Sequence, residues 1–379
     1  MRIILYNSSS FGGCFDYGRE LYRAFQHQPS VTSVEWWIPE NAAEDETKGI
    51  RKLFFSDQPE GLKRIFRQIH FLWRVLMNPF RLLLRLAAAP PSVVILNDFE
   101  QLTAPLWVPV FRIILADKHR FGVILHDPDR DAYPPALWWT RYSMKKLISL
   151  CDRAFYHAYL PVKDYYRDCG GCIFTDLPHG VFYFPPPDAA FSQKIRNSNP
   201  DGLTILSIPG NIRPEKNYHI AIGALPMLPD CMLLIAGAAS NARVDVQSYY
   251  KLAEELGVSR RVIWLNGYLS REELSSVIAE SDIILLNYAD SFTSQSGIFN
   301  LTIPFRKPVI TSSGKSGMTQ VLEKFGLGIR VQEPGAASLA QAVQKSREST
   351  DNEKRWEEYQ NYASWENTVK VIAEGFSAK

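Results

Sequence analysis

The chain has 379 residues and a formal net charge of +2, with 46% hydrophobic and 22% charged residues. That length is long for one core and natural for two, and the near-neutral balance gives no overall pull toward nucleic acid. Five cysteines (Cys14, Cys151, Cys169, Cys172, Cys231) make no disulfide framework; Cys169-Gly170-Gly171-Cys172, with no second pair and no matching His spacing, reads as a turn in a reduced, cytoplasmic protein.

The chain opens on a buried strand, Ile3–Tyr6, too short for the apolar core of a secretory signal. No charge-free apolar run reaches the ~20 residues that span a bilayer. After the strand come Asn7-Ser8-Ser9-Ser10-Phe11-Gly12-Gly13-Cys14 and a helix from about Asp16 to Gln26. Adjacent Gly12 and Gly13 let backbone approach a ligand closely, although such pairs also mark plain turns. Further strands are expected at Ser92–Leu96, Gly122–Leu125, Arg153–His157 and Cys172–Thr175. Asn97-Asp98 follows one of these strands and His126-Asp127 another. Asp16, Asn97 and Asp98 are candidates for a cleft at these strand ends, of residue types that also serve as caps and turns.

Arg51 to Leu86 holds eight cations (Arg51, Lys52, Lys63, Arg64, Arg67, Arg74, Arg81, Arg85) against two acids, Asp57 and Glu60. On a helix at about 100° per residue, Lys63, Arg67, Arg74, Arg81 and Arg85 fall within an arc of roughly 40°. Leu62, Ile65, Phe66, Ile69, Leu72 and Trp73 begin a wide apolar remainder, and Pro79 is expected to break or kink the run. A basic, acid-free, aromatic-rich amphipathic stretch suits an anionic membrane surface, here through about 62–86. It is too apolar for nucleic acid. The competing reading is a core-packing helix pair with a solvated basic edge.

Pro178-His179-Gly180-Val181 and then Pro185-Pro186-Pro187-Asp188 stiffen a crossing between domains. Beyond it, unalternated apolar runs at Leu203–Ile208, Cys231–Gly237, Val262–Leu265, Asp282–Leu286, Lys307–Thr311 and Gly328–Val331 are separated by helical patterns at Val246–Leu256, Arg271–Glu280 and Met318–Phe325. Such strands indicate a parallel sheet covered on both faces, whose ligands sit at the C-terminal strand ends. The first run leads into Gly210-Asn211-Ile212-Arg213-Pro214-Glu215-Lys216-Asn217 and a helix from Tyr218. Arg offers a planar fork to phosphate oxygens and Lys a point charge, so Arg213 and Lys216 are candidates for holding an anion. Gly237, Gly267 and Tyr268 stand at neighbouring strand ends. Ser294-Gln295-Ser296-Gly297 enters a helix with N–H groups and hydroxyls able to hold a phosphate, or simply to cap.

The order GNIRPEKN, LLIAG, LAEELGVSRRVIWLNGY, SDIILLNY, SQSG, KPVIT resembles the nucleotide-sugar domain of GT-B glycosyltransferases, most of all the large retaining family 4. The likeness is good over roughly 200–345 and loose elsewhere. It implies an α/β chain of two Rossmann-like domains facing each other across a cleft. The N-terminal acceptor domain would take 1–187, with the basic amphipathic insertion at about 51–88. The nucleotide-sugar domain would take 188–355, with a final helix, 356–379, returning to the first domain. By the resemblance, Arg213 and Lys216 grip the donor diphosphate and Asn266-Gly267-Tyr268 meets the base. The Gly12-Gly13 loop and His179 face the cleft, and His126 with Asp127 stands near the reacting centre as acid/base or sugar-orienting groups. The family commonly carries two glutamates eight residues apart before the KPVI strand; here the positions are Thr293 and Leu301.

The activity so implied is transfer of a sugar from a nucleotide diphosphate sugar to a glycan or lipid-linked acceptor in polysaccharide or glycolipid assembly. It would be retaining, with no metal and no cofactor, at the inner face of the membrane. A nucleotide-sugar isomerase or epimerase on the same fold, or a non-catalytic GT-B-like partner protein, is the alternative.

Overall fold

The structure, a computed structural model, describes residues 1–58, 63–131, 136–167, 169–241, 244–348 and 353–377. Glu60 and Leu62 of the basic stretch lie outside them. The chain divides into two compact units, Met1–Gly180 with Ala363–Lys379, and Val181–Tyr362. The division comes ahead of the expected boundary at 187/188 because the proline segment is already tied into the second unit. There the hydroxyl of Ser275 donates to the Pro185 carbonyl (2.8 Å) and that of Ser276 to the Asp188 carbonyl (3.1 Å).

The first unit runs β1 (Arg2–Tyr6), α1 (Gly13–Gln26), β2 (Ser33–Pro39), β3 (Ile50–Phe54), α2 (Arg64–Ala88), β4 (Val93–Leu96), α3 (Ala104–Leu115), β5 (Arg120–Leu125), α4 (Leu137–Leu150), β6 (Arg153–Tyr156) and β7 (Ile173–Asp176). Its seven strands pair in the order β3-β2-β1-β4-β5-β6-β7, all parallel. β2 and β3 are additional to the strands expected from sequence. β2 carries a buried Glu35 among its apolar residues, made tolerable by ion pairs with Arg2 and Arg51 and by the indole N–H of Trp37 (2.9 Å). Residues 51–54, part of the basic run in sequence, are therefore edge strand, and the helix begins at Arg64.

α2 runs through Pro79 as one 25-residue helix. Proline leaves the carbonyl four residues back without its donor, and here that carbonyl, of Val75, accepts instead from the Thr103 hydroxyl at 2.8 Å. The break expected from sequence is thus compensated from the start of α3.

The second unit runs α5 (Ala189–Asn197), β8 (Thr204–Pro209), α6 (Tyr218–Ala224), β9 (Cys231–Gly237), α7 (Val246–Glu255), β10 (Val262–Asn266), α8 (Arg271–Glu280), β11 (Ile283–Leu286), α9 (Gly297–Thr302), β12 (Val309–Thr311), α10 (Gly317–Phe325), β13 (Gly328–Arg330), α11 (Ala336–Glu348) and α12 (Glu353–Tyr362). Six parallel strands pair as β10-β9-β8-β11-β12-β13. β9 and β11 are buried along their whole length, which is why they read as unbroken apolar runs. The chain then returns to the first unit with α13 (Trp365–Ser377). There the Thr368 hydroxyl donates to the Pro178 carbonyl at 3.0 Å, and Arg120 to the Phe376 carbonyl at 2.6 Å.

Candidate functional site

In the second unit β8 and β11 are adjacent strands on either side of the point where the chain order reverses, and ligands of such sheets sit at the C-terminal strand ends. β8 ends at Pro209, and Gly210 turns with φ +82°. A Cβ there would lie 2.9 Å from Ile298 Cδ1, and one on Gly237 would lie 2.4 Å from the Gly210 carbonyl oxygen. Gly237 thus serves close packing of the β9 end against the turn.

The turn folds Lys216 inward. Only 2% of Lys216 is exposed, and its Nζ donates to the Pro209 carbonyl at 2.6 Å. Burial first, and then the charge of Arg213, push its ammonium down to a pKa of about 7. Arg213 itself is exposed. It reaches the buried Tyr288 hydroxyl, which shares a 3.1 Å hydrogen bond with Ser296 Oγ. Ser296 in turn caps α9, accepting from the Phe299 N–H at 3.3 Å. One chain of contacts therefore joins the turn after β8 to the loop after β11. A Cβ on Gly297 would meet nothing within 4 Å, so the first turn of α9 is open beside two cations. This arrangement can hold an anionic group with several oxygens.

The other candidates of this unit are placed differently. Gln295 is buried and donates to the Tyr359 hydroxyl (3.3 Å) of α12, with its own Oε1 unpartnered among the described residues. The Ser294 carbonyl accepts from Met318 N–H at 3.4 Å. Gly267 and Tyr268 follow β10, two strands from β8; Gly267 has open space above it and Tyr268 is exposed. At the positions of the family's glutamates, Leu301 is buried and Thr293 keeps a buried hydroxyl with no partner among the described residues. Tyr288 is a site residue that sequence reasoning missed, although it stands inside the SDIILLNY motif.

In the first unit, residues just past successive strands converge. Asn7 follows β1, Asn97 follows β4, His126 follows β5 and His157 follows β6. Asn97 Nδ2 donates to the Cys14 carbonyl at 2.6 Å, which orients its amide so that Oδ1 faces His126 Nε2 at 3.0 Å. Nε2 therefore carries the proton, and Nδ1 is left as an acceptor. His126, His157 and His179 surround Tyr17, with ring centres 4.6, 5.5 and 5.0 Å from it, and Trp365 of α13 packs on the same ring at 4.9 Å. Burial, then the neighbouring imidazoles His157 and His179 and Arg130, hold His126 well below its ordinary range; burial takes His157 to about 4 and, with His157 beside it, His179 to about 3. All three are neutral at physiological pH. Tyr17 and His157 are members of this cluster that sequence reasoning missed.

The loop after β1 is fixed by carboxylates. Asp98 accepts from the N–H groups of Ser8 and Ser9 and from the Ser9 hydroxyl, and Asp57 from the Ser10 N–H at 2.9 Å. Burial raises the Asp98 carboxyl. Gly12 and Gly13 stand exposed at the tip, with nothing within 4 Å of either Cβ position. Asp16 pairs with Arg19, which also holds Glu44. Asp127 keeps part of its surface open beside His126. Arg74 of α2 turns inward, donating to the Ser8 carbonyl at 3.1 Å and lying 3.7 Å from the buried Glu100, which also accepts from Tyr6 at 2.7 Å. Among the described residues, no group of three or more His, Cys, Asp or Glu side chains is placed to hold a metal ion. None of the five cysteines is in a disulfide, and burial pushes the Cys172 thiol up to about 12.

Residues 189–362 match the sequence model of the family described as Glycosyl transferases group 1. A D-inositol 3-phosphate glycosyltransferase of Mycobacterium sp. (strain KMS) is 33% identical over 111 residues, an alignment that takes in 29% of this chain and 25% of the relative. The match thus spans only about a quarter of that protein's length. Among solved structures, Anabaena Alr3699/HepE in complex with UDP superposes with a TM-score of 0.68 at 14% identity over all of both chains. Sucrose-phosphate synthase from Thermosynechococcus elongatus does so with 0.69 at 15% identity, again over all of both. At such identities the structures speak for the fold, while the sequence match speaks for kinship. Most of the second unit, residues 189–362, thus matches the glycosyl transferases group 1 family, and the chain as a whole has the GT-B fold of two Rossmann-like units.

Proposed function

We propose that this protein is a glycosyltransferase moving a sugar from a nucleoside diphosphate sugar to a membrane-associated acceptor, lipid-linked or glycan, in polysaccharide or glycolipid assembly. The observation that carries the reading is the paired Arg213 and Lys216 at the end of β8, beside the open first turn of α9. The match of residues 189–362 to the glycosyl transferases group 1 family and the UDP bound in the Anabaena structure support a nucleotide as the leaving group.

The donor is held by the second unit. As the bond between the anomeric carbon and the diphosphate breaks, negative charge grows on the phosphate oxygens. Arg213, the protonated Lys216 and the Ser296–Gly297 amides face that charge. Fixed donors aimed at developing charge are commonly the largest catalytic term. Gly210 and Gly237 pack the ends of β8 and β9 closely enough to set the turn that presents Arg213 and Lys216 to the diphosphate, while Gly267 and Tyr268 meet the base. Thr293 Oγ1 and Gln295 Oε1, buried in the same loop, have no partner among the described residues. The acceptor is held by the first unit near Gly12, Gly13, Asp16, Asn97, Asp98 and His179. His126, neutral and with Nδ1 open as an acceptor, takes a hydrogen bond from a reacting or orienting hydroxyl, with Asp127 beside it. Transfer is retaining and needs no metal, since the two cations answer the leaving charge. The basic α2 brings the protein to the inner face of an anionic membrane.

Release of nucleoside diphosphate from a panel of nucleotide sugars, measured with and without lipid-linked acceptors, tests the proposal. Acceptor-dependent release supports it. Conversion of the sugar without any acceptor points to an isomerase instead, and no turnover with any donor points to a non-catalytic partner protein.

A further inference from the structure

We infer that the bilayer contacts a face built from three helices, α2, α3 and α4, rather than the α2 stretch alone; this rests on the membrane reading above. The three are neighbours in the first unit. The Thr103 hydroxyl at the start of α3 holds the Val75 carbonyl in the middle of α2, and the Trp139 indole of α4 donates to the Leu102 carbonyl at 3.0 Å. Between them these helices carry nine Lys or Arg and no Asp or Glu. Three of the cations serve the fold: Arg74 with Glu100, Arg81 with Glu40, and Arg141 with Asp131. Arg67, Arg85, Arg112 and Lys145 are exposed.

The same helices expose large apolar side chains of a kind that soluble surfaces normally cover. Ile65 and Leu72 of α2 are 68% and 66% exposed, Ile113 of α3 is 85% exposed and Trp138 of α4 is 69% exposed. Apolar and aromatic groups interleaved with cations, and no acids, match the headgroup region of an anionic bilayer. A second copy of this chain fits poorly, since the face would set cations against cations with no carboxylate to pair them. No helix among the described residues is long and apolar enough to cross a membrane, so the face lies on the bilayer.

The geometry also sets its position. Val75 is level with Thr103, just past the C-terminal end of β4, so the turns of α2 before it overshoot the sheet edge by roughly 15 Å at about 1.5 Å per residue. Ser8, Asn97 and His126 stand at that same edge, and Arg74 links the helix to Ser8. A bilayer on this face lies next to the acceptor-side residues.

The test uses the full chain with vesicles of equimolar phosphatidylglycerol and phosphatidylcholine, against phosphatidylcholine alone. Hydrogen exchange should slow in 64–73, 84–88, 104–115 and 137–145 on the anionic vesicles only. Ile113→Glu with Trp138→Glu, both at exposed sites, should lower vesicle partitioning at least tenfold while the circular dichroism spectrum is kept. Arg67→Glu with Arg85→Glu should lower it about 25-fold or more, at about fivefold per lost cation. Protection confined to α2, or full binding by the Ile113/Trp138 variant, overturns the three-helix face and leaves the narrower membrane reading. Absence of binding overturns both. A concentration-dependent dimer that the Ile113/Trp138 variant disperses assigns the face to a second copy. None of these readouts uses turnover, so failure here is separable from failure of the glycosyltransferase reading.

Discussion

Replacing Lys216 by methionine separates what the residue does for the fold from what it does for a ligand. Its ammonium falls from an ordinary 10.5 to about 7, chiefly through burial. At about 1.4 kcal/mol per pH unit, that gap corresponds to a cost on the order of 5 kcal/mol. Below about pH 7 both folded and unfolded chains hold the proton, and the whole penalty applies. Between about 7 and 10.5 only the unfolded chain holds it, so stability rises with pH; above 10.5 the penalty is gone. The hydrogen bond from Nζ to the Pro209 carbonyl, at about 1.5–3 kcal/mol for a charged donor, offsets part of the cost. Lys216→Met should therefore stabilise the protein by about 2–3 kcal/mol near pH 6.5 and lose that advantage as pH approaches 10. Urea unfolding of wild type and variant across this range isolates the residue, because every other titrating group is common to both. Turnover should fall about a hundredfold, as for loss of one charge-stabilising donor. A stability difference that does not change with pH, or a variant less stable at pH 6.5, would refute the reasoning.

Gly297→Asp places a carboxylate in open space on the first turn of α9; donor affinity should fall at least tenfold by titration calorimetry, while the melting temperature holds. Gly18→Ala sets a Cβ 2.4 Å from Asn7 Oδ1 and 3.1 Å from Asn97 Nδ2, and should cost about 1–3 kcal/mol by overpacking and reduce turnover through displacement of Asn97 from His126. His126→Ala should lower turnover roughly a hundredfold. In the Lys216→Met background, where that ammonium no longer titrates, the pH–rate profile should show no inflection near 6.5, because burial holds this imidazole neutral well below that pH. Thr103→Val strips the Val75 carbonyl of the donor that replaces Pro79's missing N–H, and should destabilise by about 1–3 kcal/mol in thermal unfolding.

The second unit was legible in the sequence because its strands are buried on both faces and so read as continuous apolar runs, with turns marked by Gly210, Gly237 and Gly267. β2 and β3 were not, because Glu35 interrupts one and Arg51-Lys52 the other. Pairing with Arg2 and Arg51 and the Trp37 indole N–H makes the buried carboxylate acceptable, and these partners meet it only once the strands are aligned. The uninterrupted α2 was hidden for a similar reason, since its compensating donor lies 28 residues away in the chain. Arg213 and Lys216 could be named from their turn, but a cation on a turn is exposed by default. The inward fold of Lys216 depends on Gly210 and Ile298, which meet only in the folded unit. Tyr17 and His157 escaped because the cluster assembles from the ends of separate strands, with no local spacing to betray it.

The most direct measurement is the affinity of nucleoside diphosphates for the wild-type protein and for the Arg213→Ala, Lys216→Met double variant, by titration calorimetry at pH 6.5. One nucleoside diphosphate should bind the wild type and lose at least a hundredfold in the variant. Equal binding by both proteins, or no binding of any nucleoside diphosphate to the wild type, would contradict the role given to this pair.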